Sequence, residues 1–158
     1  MSLPAFPTAR ALALALPGAL MAGALGSQIF GGLYPCEMCH WQRWPHYAAI
    51  VLALLAFMLP RGMAKVMVAL AAFAILTSGA IGVFHAGVEY HWWRGITACS
   101  RVESHGPDAL SQILNAPIVR CDAPQWTLAG ISLAGFNALF SLAGGLTILG
   151  LLAKGRQA

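Results

Sequence analysis

The sequence predicts an all-α fold, an integral membrane four-helix bundle with two outer loops, the second a candidate for carrying a short surface helix. Three observations predict it. Of the 158 residues 59% are hydrophobic and 9% charged, with a mean hydropathy of +0.72, whereas soluble chains carry about 25% charged residues. A water-soluble fold of this length would have to hide more apolar surface than its interior holds, which excludes a soluble enzyme, a nucleic-acid binder and a disordered tail. The charges bracket four uncharged runs, residues 11–36, 44–60, 66–88 and 123–153. Each meets the roughly 17–25 residues that a helix needs to cross a hydrocarbon core, the second only barely. The runs are continuously apolar, rich in Ala, Leu and Gly, and lack the two-residue alternation of barrel strands.

The elements follow in order, as one membrane domain over residues 1–158 with spans at about 11–33, 44–60, 66–88 and 126–153 and outer loops at about 34–43 and 89–125. The first span begins after Arg10 and runs on through Ile29, Phe30 and Leu33. It is longer than the 7–15-residue core of a signal peptide, so a retained helix is expected. Ala15, Gly18, Ala22 and Gly26 offer it a small-residue face, and Gly130, Ala134 and Ala138 offer one to the fourth span; such faces let membrane helices approach closely. At the second span two starts compete, one near Cys36 and one at Pro45, because proline suits a first turn and breaks a helix interior. In the long loop, residues 107–115 have Pro and Asp for a first turn and Leu110, Ile113 and Leu114 on one face. They read equally as a short helix on the membrane surface or as an ordered loop.

Charge sets the orientation. Arg10, Arg61, Lys65, Lys154 and Arg156 fall on one side with no acidic residue, and Arg43, Arg94, Arg101 and Arg120 face Glu37, Glu89, Glu103, Asp108 and Asp122 on the other. The first side is expected to be cytoplasmic and to hold both termini. The net charge of +4 is then largely an orientation signal and calls for no nucleic-acid partner. Cys36, Cys39, Cys99 and Cys121 lie at or beyond the opposite boundary, in a compartment that permits disulfides. Four cysteines allow three pairings, and sequence alone selects none.

The chemistry concentrates in Pro35-Cys36-Glu37-Met38-Cys39-His40-Trp41-Gln42-Arg43. If a helix begins here, one of the two thiols sits near its N-terminus, where the backbone dipole lowers thiol pKa. Arg43, four residues after Cys39, shares its face and offers a permanent positive charge. A structural disulfide is the plain alternative, but a two-residue gap restrains the unfolded chain little, and exposed, strained disulfides tend to be the redox-active ones. Arg43 reads equally as an interfacial anchor. Cys36 to His40 also matches the c-type haem attachment motif. Against haem stand the second pair, Cys99 and Cys121, and the position hard against a span. Zinc is weaker still and no metal is expected, because the spacing of Cys99 and Cys121 does not form a second knuckle. His46 and His85, near the outer ends of the second and third spans, can ligate a haem or hydrogen-bond a quinone; more often such histidines are interfacial polar residues. Trp41, Trp44, Trp92, Trp93 and Trp126 read as an aromatic belt.

With these residues in view, the chain resembles the disulfide bond formation protein B (DsbB) family, membrane thiol oxidases that recharge a soluble periplasmic partner and pass electrons to quinone. The resemblance rests on the four spans and on Cys36-x-x-Cys39-x-x-Gln42-Arg43-x-Pro45-His46. It rests also on His85-x-x-Val88-Glu89-x-x-Trp92-Trp93 ahead of Cys99, and on Cys121-Asp122-x-x-x-Trp126-x-x-x-Gly130-Ile131-Ser132. His40 is not required by the family. The resemblance implies a bacterial inner-membrane enzyme, a quinone-dependent protein-disulfide oxidoreductase, with its cysteines on the periplasmic side. Its partner would be a soluble DsbA-like, thioredoxin-fold thiol oxidase, and its cofactor a quinone, ubiquinone or menaquinone. By the same resemblance Cys99 is attacked by the partner's thiolate, Cys121 is released to engage Cys36, and Cys39 faces the quinone. Arg43 matches the family arginine beside the quinone, with Gln42, His46 and His85 as further candidate contacts. A small c-type cytochrome and a membrane scaffold with structural disulfides are the competing readings.

Overall fold

A computed structural model describes residues 4–97 and 119–154. Within them lie four helices, α1 (Ala5–Ile29), α2 (Glu37–Met58), α3 (Arg61–Glu89) and α4 (Leu133–Lys154), with a two-stranded hairpin, β1 (Thr127–Leu128) and β2 (Ile131–Ser132), ahead of α4. Cys99 and residues 107–115 lie outside the described residues.

Helices α1, α3 and α4 are long and apolar enough to cross a membrane. The 22-residue α2 is long enough, at about 1.5 Å per residue, but its first turns bury Gln42, Arg43 and His46, which lowers its hydropathy. It begins at Glu37, with Cys36 as its N-cap, and Pro45 lies inside it. Pro45 is therefore not the helix start. The Cys36 sulfur accepts from the Cys39 backbone N–H at 3.2 Å and secures the first turn, so Pro45 removes only the single N–H that would have met the Trp41 carbonyl.

Helix α3 packs most extensively, against α2 on one flank and α4 on the other, and α1 closes the bundle against α4 and α2. The core is built from small side chains: Ala49, Ala53 and Ala56 of α2, Ala64, Ala71 and Ala72 of α3, and Ala9 and Ala13 of α1, with Val68, Ile75 and Ile148 between them. Small residues let helix backbones approach and gain dispersion contact where lipid offers no hydrophobic drive. A close approach of backbones joins α3 to α4. A methyl group added to Gly82 would stand 3.0 Å from the Ala134 carbonyl oxygen and the Ala138 nitrogen, and one on Gly79 would stand 3.0 Å from Leu142. The small face expected on α1 is not used this way. Ala15 and Ala22 are exposed, a Cβ on Gly18 or Gly26 would meet nothing within 4 Å, and α1 buries Phe6, Ala9, Ala13, Pro17 and Met21 instead. Ala134 and Ala138 of α4 are buried as expected.

The hairpin occupies the beginning of the 126–153 run, so helix there starts only at Leu133. Ala129 and Gly130 carry φ of 51° and 79°, the paired positive values of a tight hairpin turn. The Tyr90 hydroxyl donates to the Gly130 carbonyl at 2.9 Å and accepts from the Ser132 N–H at 2.8 Å, fastening the hairpin to the end of α3. Ser132 then caps α4 by accepting from Gly135 N–H at 3.1 Å. Trp93 folds back over α3, donating to the Phe84 carbonyl at 2.8 Å. Gly87 beneath it has no room for a Cβ, which would lie 2.0 Å from the indole. At the other end of the bundle the Arg10 and Arg61 guanidinium groups both lie over the Phe6 ring at 5.7 Å, and Arg10 over Phe57 at 4.4 Å.

Candidate functional site

The start of α2 determines the site. As N-cap, Cys36 has extended backbone and turns its sulfur over the first helical turn, where Cys39 follows at the third position. The two sulfurs are in hydrogen-bond contact at 2.8 Å. Both precede the apolar part of α2. The Cys36 thiol hydrogen bond holds the Cys39 pKa below the ordinary thiol value, against the opposing effect of burial, with a further lowering contribution from the Arg43 charge. The same contact, with burial, pushes the Cys36 thiol up. The pair is thus polarised toward Cys39 as the thiolate, although the Cys39 N–H donated to the Cys36 sulfur acts in the opposite sense.

Cys121 is buried beside this pair. It packs with Cys36, Met38 and Val88 in one cluster and accepts from the Thr97 hydroxyl at 3.4 Å. His85, on α3, completes the cluster, with Nε2 3.5 Å from the Cys36 sulfur and 3.7 Å from Glu89 Oε1; its ring bonds the Cys121 backbone as well. The ligand atoms of Cys36, Cys39 and His85 lie within 4.8 Å of one another, which serves thiol–imidazole hydrogen bonding and also brings three metal-ligating side chains together. His40 is exposed.

Arg43 is 9% exposed and tied to α1, donating from Nη1 to Gln28 Oε1 at 2.7 Å and from Nη2 to the Ala24 carbonyl at 3.3 Å. A polar chain runs from there into the bundle. Gln42 donates to His85 Nδ1 at 2.7 Å and to the Met38 carbonyl at 3.2 Å. Its oxygen accepts from Asn137 Nδ2 at 2.8 Å. Asn137 Oδ1 lies 2.9 Å from His46 Nε2, and Ser78 and Ser141 join at the same histidine. All four sequence-predicted contacts, Arg43, Gln42, His46 and His85, therefore meet in one place.

They meet around a cavity of about 240 Å³. Its polar wall holds Cys39, Gln42, Arg43, His46, His85, Glu89 and Asn137, and its apolar wall Leu20, Met21, Leu33, Trp126, Leu133, Phe136 and Phe140. Trp126 and Phe140 are also exposed on the flank of the bundle, so the cavity reaches the surface between helices. Among the described residues, two buried polar atoms of the lining have no protein partner, His46 Nδ1 and Glu89 Oε2. Buried polar groups are ordinarily satisfied, so a polar ligand or a water would complete the lining. An apolar slot with a few convergent polar groups and a fixed cation fits a ring that carries oxygens at its ends.

Gln28, Ser78, Asn137 and Ser141 escaped the sequence reading, and Glu89 entered it only as an outer-side charge and a motif letter. The signal was present: each of the first four is a polar residue inside an apolar run, where polar groups are costly and tend to be functional. Cys99, the remaining predicted site residue, lies outside the described residues.

The comparisons agree with this geometry. The family model described as disulfide bond formation protein DsbB matches residues 7–151. A relative from Verminephrobacter eiseniae (strain EF01-2), disulfide bond formation protein B, is 34% identical over 149 residues, covering 87% of this chain and 80% of its own. No solved structure matches significantly. With a family match over nearly the whole chain and a polarised cysteine pair at the mouth of a helical bundle, the chain belongs to the disulfide bond formation protein B family of membrane proteins.

Proposed function

We propose that the protein is a quinone-dependent thiol oxidase of the inner membrane, which reoxidises a soluble, DsbA-like periplasmic thiol oxidase. All four helices then cross the bilayer. Both termini are cytoplasmic, in keeping with the purely basic end that carries Arg10 and Arg61, and the cysteines are periplasmic. The observation that carries the reading is that Cys39, the sulfur favoured as thiolate, and Arg43 line one cavity with an apolar wall.

In this scheme the partner's thiolate attacks Cys99 of a Cys99–Cys121 disulfide and releases Cys121. Cys121 attacks Cys36 of the Cys36–Cys39 disulfide, freeing Cys39, and the partner's second thiol closes its own disulfide as Cys99 leaves. The burial of Cys121 against Cys36 supports this order. Re-formation of the Cys99–Cys121 disulfide leaves the reducing equivalents on Cys36 and Cys39. Two electrons and two protons then leave this dithiol as its disulfide returns. A bound quinone, ubiquinone or menaquinone, supplies the two-electron, two-proton acceptor. Cys39 would face the ring, Cys36 would stabilise the Cys39 thiolate by its hydrogen bond until it closes the disulfide, and Arg43 would hold the ring oxygen nearest the thiolate. Helix walls would exclude water from the sulfurs.

The test is quinone reduction by the purified protein supplied with a reduced thioredoxin-fold partner, together with haem staining of the denatured chain. Electron transfer that ceases in Cys36→Ser and Cys39→Ser, while both variants remain in the membrane, supports the oxidase. Retained covalent haem would establish the cytochrome instead, and full turnover in both variants would leave a scaffold. A covalent, reducible complex trapped at Cys99, with Cys121→Ser and the partner's resolving cysteine removed, would assign the entry point; trapping at Cys36 would reverse the two pairs.

A further inference from the structure

We propose that His46 is a fixed hydrogen-bond acceptor at the deep end of the cavity, positioned by Asn137, Ser78 and Ser141, and that it makes the site prefer the reduced, hydroxyl-bearing form of its ring ligand over the oxidised form. The proposal rests on the quinone reading of the cavity.

The proton positions follow from groups that can act in only one way. Backbone carbonyls only accept. Asn137 Nδ2 lies 3.2 Å from the Ser78 carbonyl, so this end of the amide is the donor and the oxygen is the end that faces His46 Nε2 at 2.9 Å. The Ser78 hydroxyl donates to the Gln42 carbonyl at 2.8 Å, so it presents only lone pairs to His46 Nε2, also at 2.9 Å. Ser141 donates to Asn137 Oδ1 at 3.0 Å. Every close neighbour of His46 Nε2 accepts, so that nitrogen carries the proton of the neutral ring, and Nδ1 carries a lone pair. His46 is 3% exposed, it lines the cavity, and Nδ1 is buried without a partner.

What satisfies an acceptor is a donor. Arg43, three residues earlier on the same helix, offers only N–H groups and serves a carbonyl or a hydroxyl oxygen alike. Both side chains line the one cavity, so a ring with oxygens at opposite ends has a polar group of α2 available for each. At His46 the oxidised ring would set a carbonyl lone pair against a nitrogen lone pair, and the reduced ring would donate its O–H. Tighter binding of the reduced form draws electrons from the Cys36–Cys39 dithiol toward completion.

The test titrates a short-chain ubiquinone and its hydroquinone separately against the full chain carrying Cys39→Ser, which blocks electron exchange, and against the same chain with His46→Phe or Asn137→Leu added. His46→Phe is expected to lose roughly 3–10-fold in hydroquinone affinity, the worth of one neutral hydrogen bond, with quinone affinity held or improved. Asn137→Leu is expected to narrow the same ratio by freeing the tautomer. The ¹⁵N spectrum of the unsubstituted protein is expected to show His46 protonated at Nε2. An Nδ1–H tautomer or a charged ring there overturns the inference without any variant. Equal loss of both forms, or an unchanged ratio, also overturns it and leaves the quinone site standing. Failure of both forms to bind overturns the quinone reading, and this inference with it.

Discussion

Gln42 Nε2 lies 2.7 Å from His85 Nδ1 and 3.2 Å from the Met38 carbonyl, so the amide spends both its hydrogens and holds His85 as the tautomer protonated on Nε2. That N–H faces the Cys36 sulfur at 3.5 Å and Glu89 Oε1 at 3.7 Å. A glutamine on α2 thereby determines what a histidine on α3 presents to a cysteine.

Replacing Gln42 tests this control. Gln42→Leu leaves His85 Nδ1 without its donor inside the bundle, which costs about 1–3 kcal/mol, while the Asn137 amide keeps Ser78 as acceptor. We expect a lower midpoint in thermal unfolding and an altered rate of Cys36 alkylation in the reduced protein, since the tautomer is released. An unchanged alkylation rate with lowered stability would show that the glutamine serves packing alone.

Arg43→Ala should raise the apparent KM for quinone about 10–150-fold, the loss of one charge-assisted contact worth roughly 1.5–3 kcal/mol. Exchange between the loop cysteines and the partner should be nearly intact. Arg43→Lys should recover only part, because lysine keeps the charge but lacks the planar fork that reaches both Gln28 and Ala24. Steady-state quinone reduction, with partner exchange followed separately, decides; an unchanged KM would make Arg43 an anchor to α1.

The cysteine pair predicts a pH dependence with a definite sign. Cys39 is lowered and Cys36 raised, so as pH falls from alkaline values one thiolate should persist below the ordinary thiol pKa of about 8.5 and then disappear as pH passes through the Cys39 pKa. Thiolate absorbance of the reduced protein measures this. Cys39→Ser should remove that titration, and Cys36→Ala should move it upward, because the hydrogen bond that favours the thiolate is gone. A downward movement in Cys36→Ala would assign the pair the other way.

Packing between α3 and α4 gives a stability test. Gly82→Ala places a methyl 3.0 Å from backbone atoms of Ala134 and Ala138, which have little freedom to move, and should cost about 1–3 kcal/mol. Gly18→Ala meets nothing within 4 Å and should be neutral or stabilising by about 0.5–1 kcal/mol. Thermal midpoints in detergent compare the two; equal effects would mean that the close approach is not made in the folded protein.

The helices were legible because their signal is compositional: a run such as 66–88 is apolar around the whole helix, and α3 covers it. The candidate site at the start of α2 was legible because Cys36, Cys39, Gln42 and Arg43 are close in sequence. The hairpin at 127–132 was not, since its residues are as apolar as those of a span and only the paired positive φ at Ala129 and Gly130 separates them. Nor was the His46 site. Its partners Ser78 and Asn137 are distant in the chain, and which helix faces meet depends on Gly79 and Gly82 admitting α4, a contact that spacing alone does not reveal. The small residues of α1 misled for the same reason: Gly18 and Gly26 carry the pattern but not the neighbour.

The central claim is that Cys39 delivers electrons into the cavity. The most direct measurement is a single turnover: the full chain with Cys99→Ser and Cys121→Ser, its Cys36–Cys39 pair reduced and excess reductant removed, is mixed with a short-chain ubiquinone, and hydroquinone and the Cys36–Cys39 disulfide are quantified together. One hydroquinone is expected for each disulfide formed, and none when Cys39→Ser is added. Hydroquinone formation that survives Cys39→Ser, or a disulfide formed without hydroquinone, would remove Cys39 as the electron donor.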